Sequence, residues 1–263
     1  MNEREQLEAI ARMPIVLEIP GMREVAVRPT AYLDSSAEHS MDVYASALGG
    51  EPRPAVVFVY GFPQPRMARG LKDMECYRSW ARLLAASGFV AVTYRYVEPI
   101  GDLRLLLGQL RARAADLGID PARIAIWSCS GNVPVALGAL VEEARAGRGL
   151  CAAALCYGYM PDDGNAAGSA RAAFGFAVPE ACSVDDLPPG LPLLVVRAGR
   201  DQTPGLNVAL DRFVARAIAR NLPLTLLNHP TGPHAFDIFD PSESSRAAIR
   251  AVVAFLRLHA GLV

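Results

Sequence analysis

The sequence predicts an α/β protein: a mostly parallel eight-stranded sheet with helices on both faces. Three observations predict it. Short apolar runs rich in β-branched residues alternate with longer stretches of helical period, the pattern of repeated βαβ units. Several runs are apolar at every position, as strands covered on both faces must be. Hydrophobic residues make up 52% of the 263 residues and charged residues only 20%, enough to fill one large core.

The elements follow in order. Residues 1–20 hold a short helical pattern and then Pro14 and Pro20, with no assignable place. Val25 to Ala31 and Met41 to Ala45 read as an antiparallel hairpin. Ala55 to Tyr60 and Phe89 to Tyr94 are buried-strand runs, separated by a helix over Tyr77 to Ala86 that stops at Gly88. A helix from Asp102, a residue type suited to capping, to Leu117 carries Leu103, Leu106, Leu107 and Leu110 on one face. Strands at Arg123 to Trp127, Ala152 to Tyr157, Leu193 to Ala198 and Leu224 to Leu227 complete the sheet. Helices over Asn132 to Ala146, Leu206 to Arg220 and Ser242 to His259 lie between and after them. Right-handed crossovers are expected from residue 55 onward. Residues 159–192, rich in Gly, Pro, Asp and Ala, read as a small insertion or lid over the sheet, before the strand at 193–198. The whole chain, 1–263, is expected to be one domain.

Composition narrows the function. A formal net charge of -1 gives no reason to expect nucleic acid as partner, and Arg104, Arg111 and Arg113 read as a solvated helix face. The five cysteines are odd in number, irregular in spacing and without a CxxC pair, so neither a disulfide framework nor a metal site is expected. The N-terminus is charged where a signal peptide would be apolar, and no apolar run is long enough to cross a bilayer. A cytoplasmic protein with reduced thiols, no cofactor and no membrane partner is expected; homo-oligomerisation stays open.

The chemistry-bearing segment is Asp120-Pro-Ala-Arg-Ile-Ala-Ile-Trp-Ser-Cys-Ser130-Gly-Asn-Val-Pro134. A strand runs directly into a helix through small residues, as a nucleophile elbow requires. Ser130 falls at the tip, with Ser128 and Asn132 two positions to either side. A helix-capping role for Ser130 fits the short motif equally well. Ser128 is a weaker rival, and Cys129 reads as a buried small residue. Gly131 follows the tip, where its N–H would meet an oxyanion at a helix N-terminus. Pro134 falls in the first helical turn, where a missing N–H costs little.

Two further residues stand where acid and base should stand after such an elbow. Asp201 lies in the turn after Leu193 to Ala198; a simple turn Asp is the alternative, and Asp237 and Asp240 are weaker rivals because both come after the histidine. His234 lies in a Gly/Pro loop past the last strand. Of the other three histidines, His39 precedes the sheet core, His259 sits in the last helix, and His229 stands at the strand end, where it packs or hydrogen-bonds locally. After the third strand, Tyr60-Gly-Phe-Pro63 offers Phe62 N–H as a second oxyanion donor, since Pro63 has none and Gly61 gives room.

YGFP after the third strand, GIDPARIAIWSCSGN at the elbow, RAGRDQTPGLN after a late strand and NHPTGPHAFD near the end together resemble the α/β-hydrolase superfamily, over roughly residues 23 to 260. The likeness is greatest to the branch of dienelactone hydrolases and small acyl esterases. That resemblance implies Ser130, Asp201 and His234 as triad, Phe62 and Gly131 as oxyanion donors, and a small-molecule ester as substrate. Tyr60 stands where a histidine often precedes the glycine, and Ser130 where dienelactone hydrolases use cysteine, which points to a simple esterase. The absence of a surface-binding segment argues against an interfacial lipase. Met160, Phe174, Phe176 and Val178 are candidates for an apolar wall of the acyl or alcohol site, or else simply cover the sheet. Lactone, peptide or thioester hydrolysis and acyl transfer fit the same scaffold, as does a catalytically silent binding protein.

Overall fold

The computed structural model describes residues 3–33, 37–46, 51–61, 70–160, 179 and 183–262. In chain order the elements are α1 (Glu3–Ala11), β1 (Ala26–Ala31), β2 (Ser40–Ala45), β3 (Arg53–Val59), α2 (Glu75–Ala86), β4 (Val90–Tyr94), α3 (Pro99–Ala112), α4 (Ala114–Leu117), β5 (Ile119–Cys129), α5 (Val133–Arg145), β6 (Ala152–Cys156), β7 (Leu193–Ala198), α6 (Leu206–Ala219), β8 (Leu224–His229), α7 (Phe236–Phe239) and α8 (Glu243–His259).

The eight strands form one sheet in the order β1-β2-β4-β3-β5-β6-β7-β8. The β1–β2 and β2–β4 pairs are antiparallel, and every other pair is parallel. This is the α/β-hydrolase fold, as expected. Burial explains the sequence patterns. The edge strand β1 alternates between half-buried and exposed positions, whereas β4 and β6 are buried throughout because helices cover both faces. Parallel strands need crossovers, so the carboxyl ends of β3, β5, β6, β7 and β8 all open on one edge of the sheet. The residues with chemistry lie there.

The helix after β4 starts three residues earlier than expected. Glu98 caps it by accepting from Gly101 N at 2.6 Å, and Pro99 fills the first turn. Asp102 is buried inside the first turn and accepts from Val97 N and Glu98 N at 2.6 and 2.9 Å. The same helix breaks at Arg113, and α4 is a separate turn ending at left-handed Gly118. Of Arg104, Arg111 and Arg113, read as a solvated face, Arg104 is exposed and the other two are half-buried. Arg104 pairs with Glu142, half-buried Arg111 with Glu143, and Arg113 donates to the Ala31 carbonyl.

The unplaced N-terminal segment packs against the site edge: Ile15 and Leu17 are buried in the core, and Val16 N donates to the Asp237 carbonyl at 2.8 Å. Cys76, Cys129, Cys151 and Cys156 are free thiols. Cys182, Phe174, Phe176, Val178 and most of the 159–192 insertion lie outside the described residues; Met160 is buried. Among the described residues, no helix is long and apolar enough to cross a membrane.

Candidate active site

At the end of β5 the backbone turns sharply. Cys129 is extended, Ser130 adopts φ 51° in the left-handed region, and a single 3-10 turn over Ser130–Asn132 leads into α5. A non-glycine residue held there is strained, and such strain persists only where neighbours fix it. Two glycines do so. A Cβ on Gly61 would sit 2.7 Å from Ser130 Cβ, and one on Gly158 would sit 2.1 Å from Val133 Cγ2 and 3.1 Å from the Ser130 carbonyl. Room for the corner therefore comes from glycines just past the ends of the neighbouring strands β3 and β6, more than from the residues flanking Ser130 in sequence. Asn132 keeps an ordinary φ of -100° and is buried, its side-chain amide donating to Tyr96 Oη at 3.0 Å. Ser128 is buried and donates to the Val59 carbonyl, so it faces away from the cleft edge.

His234 follows β8 and returns over the elbow. Its Nε2 lies 2.9 Å from Ser130 Oγ, and its Nδ1 lies 2.5 Å from Asp201 Oδ2. Asp201 has no exposed side-chain surface, while His234 is one-third exposed. Burial pushes the Asp201 carboxyl up, but the hydrogen bond and charge of His234 and two bonds from Thr203 outweigh it, leaving the group below its ordinary value. The acid turn and the base loop are tied to each other directly: Gly199 N donates to the His229 carbonyl at 2.8 Å and Arg200 N to the Gly232 carbonyl at 2.9 Å. At Gly199 a Cβ would meet the Pro230 carbonyl at 2.5 Å, so only glycine allows that approach. The three side chains predicted from sequence thus form one hydrogen-bonded row.

The predicted oxyanion donors fare differently. Phe62 lies outside the described residues. Gly131 N is in place at the start of the turn, but it donates to the Gly61 carbonyl at 3.1 Å.

Beneath Ser130 and His234 lies a cavity of about 330 Å³, walled by Tyr77, Trp80, Trp127, Tyr157, Leu206 and Ile238. Tyr157, at φ 38°, sets its ring edge-on to His234 at 5.1 Å between centroids. Its hydroxyl donates to Asp237 Oδ1 at 2.7 Å, and Trp80 Nε1 donates to Asp237 Oδ2 at 2.7 Å. Asp237 therefore belongs to the cavity and makes no bond to the imidazole. Cys129 and Cys76 also line it, and burial raises both thiols, Cys76 to about 12, so neither is primed as a nucleophile. Tyr157 and Gly158 are parts of the site that sequence reasoning misses, and Asp237 enters it only as a weaker rival to Asp201 for the acid.

The chain matches no protein-family model and no curated protein sequence. Its fold is that of solved bacterial esterases at low identity. A bacterial heroin esterase superposes with a TM-score of 0.69 at 14% identity, over 93% of this chain and 87% of that one. A thermostable esterase from Pseudomonas putida gives 0.72 at 15%, over 97% and 88%. Brefeldin A esterase, a bacterial homologue of human hormone-sensitive lipase, gives 0.71 at 16%, over 98% and 84%.

Proposed function

We propose that the protein is a serine hydrolase that cleaves carboxylic esters of small to medium acyl groups through an acyl-enzyme intermediate. The observation that carries this reading is the continuous row from Ser130 Oγ through His234 to Asp201, with gaps of 2.9 and 2.5 Å, opening on an apolar cavity. The esterase names of the structural neighbours agree with it. Within the superfamily we assign it to the small esterases and not to lactone chemistry, because the nucleophile position is serine. As further parts of the proposal, the chain works as one domain in the cytoplasm, without cofactor, on a small-molecule ester.

Ser130 is a weak nucleophile by itself. His234 Nε2 takes its proton as Oγ attacks the acyl carbon, and Asp201 holds the ring tautomer and stabilises the imidazolium. The imidazolium then returns the proton to the departing alcohol. Water, activated the same way, releases the acid and restores Ser130. During attack the negative oxygen takes the place of the Gly61 carbonyl on Gly131 N–H, and Phe62 N–H is the proposed second donor. Each such donor contributes about 3 kcal/mol at the transition state.

A second reading, a binding protein on the same scaffold, is favoured by one observation: Gly131 N–H is already engaged by Gly61. Turnover of 4-nitrophenyl esters of graded acyl length separates the two. The hydrolase reading expects activity on the short esters that falls by about four orders of magnitude in Ser130→Ala, by analogy with measured triads. Activity that survives the substitution removes Ser130 as nucleophile.

A further inference from the structure

The wall of the cavity below Ser130 carries one buried carboxyl that ester hydrolysis does not use, and burial pushes it above its ordinary value. Asp237 is 2% exposed and lines the cavity wall. Both of its oxygens accept one hydrogen bond, from Trp80 Nε1 and from the Tyr157 hydroxyl. Its own backbone N–H adds a third bond, so of the about four acceptor positions of a carboxylate about one remains for an occupant. Both donors are neutral. Among the described residues, no lysine or arginine pairs with Asp237, and the neighbouring His234 is held by Asp201 at 2.5 Å.

A buried carboxyl without a counter-charge is costly to ionise and shifts toward its neutral form, and a cation placed beside it restores the charge. Here the space beside it is the substrate cavity. The aromatic wall is of a kind that attracts cations. The Tyr77 and Trp127 rings meet at 75° and those of Trp80 and Trp127 at 47°, packed on one another along the cavity wall.

We infer that the cavity receives a substrate arm ending in an ammonium group, with Asp237 as its counter-charge and the rings of Tyr77, Trp80, Trp127 and Tyr157 as its cage. This rests on the hydrolase reading above and names the substrate class within it. A desolvated ammonium gains both from the carboxylate and from aromatic faces, tryptophan most of all. An uncharged arm of equal size gains neither and strips water from the carboxylate.

The test compares isosteric esters that differ only in charge. On the alcohol side the pair is choline acetate and 3,3-dimethylbutyl acetate; on the acyl side it is the 4-nitrophenyl esters of 6-aminohexanoic and heptanoic acid. In the natural protein, kcat/KM for the cation exceeds that for its neutral partner by about tenfold or more in at least one pair, the scale of a desolvated cation–π contact with a counter-charge. In Asp237→Asn that ratio falls to near one. A neutral preference in both pairs, or a cation preference that survives Asp237→Asn, overturns the inference. Binding of benzyltrimethylammonium to the unaltered protein, followed by tryptophan fluorescence against neopentylbenzene, needs neither turnover nor a folded variant. At least tenfold tighter binding of the cation supports the site even if no ester is cleaved, which would sink only the hydrolase reading. Equal binding of the two overturns the site even if esters are cleaved.

Discussion

Two histidines five residues apart each lie beside a serine and an aspartate, and only one of the clusters is arranged for hydrolysis. In the first, His234 stands between Ser130 and Asp201, one nitrogen to each, and reaches the cavity. In the second, the hydroxyl stands in the middle. His229 Nε2 lies 2.8 Å from Ser245 Oγ, and Ser245 Oγ donates to Asp240 Oδ2 at 2.8 Å. A serine that donates to a carboxylate cannot pass the same proton to an imidazole. Both His229 and Ser245 are buried, and His229 Nδ1 has no partner. The second cluster ties the end of β8 to the start of α8, where Ser242 caps the helix through Ser245 N. Residue types alone do not make a triad. The order of the three groups and access to solvent-sized space do.

The largest expected contrast is in turnover. His234→Ala should cost about four orders of magnitude in kcat by the behaviour of measured triads, and Asp201→Asn a similar amount through the wrong tautomer. Ser245→Ala, assayed with the same esters, should retain kcat within about tenfold, because it touches no reacting atom. Comparable losses in both clusters would mean that the buried one takes part in the chemistry.

Next in size is a steric effect at the elbow. Gly61→Ala puts a methyl 2.7 Å from Ser130 Cβ, so the strained corner must shift. Overpacking of this kind costs about 1–3 kcal/mol, and a displaced nucleophile should lower kcat by about tenfold or more at unchanged fold, judged by circular dichroism.

Stability reverses the comparison. His229→Gln leaves Ser245 and a buried pocket imperfectly filled; the loss of about 1–3 kcal/mol for a broken buried bond corresponds to a Tm lower by about 3–10 °C for a chain of this size. Ser130→Ala should leave Tm nearly unchanged. The smallest effect is in pH. Burial pushes the His229 ring below its ordinary value, against the pull of Asp240. Below about pH 6.5 the unfolded chain therefore binds a proton that the folded chain resists, so stability falls as pH drops through that range. The fall in Tm between pH 7 and 5 should be shallower in His229→Gln than in the parent, by the share this one group contributes.

Much of this was legible in the sequence. The fully apolar runs at Ala55–Tyr60 and Ala152–Tyr157 announced covered parallel strands, and the order Ser130, Asp201, His234 followed strand ends, which the chain marks with Gly and Pro. Helix starts were less legible. Asp102 looked like a cap but is a buried acceptor inside the turn, and the actual cap is Glu98, a residue type weak in that role. The glycine at 158 and the Tyr157–Asp237 contact were invisible because they depend on strands distant in sequence coming side by side. The hydrogen bond of Gly131 N to the Gly61 carbonyl is equally hidden from the sequence, because it depends on the tip of another strand.

The most direct test of the central claim is labelling of the folded protein with a fluorophosphonate, with the adduct mapped by mass spectrometry. A single adduct on Ser130, absent in Ser130→Ala and strongly slowed in His234→Ala, is the predicted result. Folded protein that takes no label, or takes it at Ser128, Ser245 or elsewhere, would contradict the account.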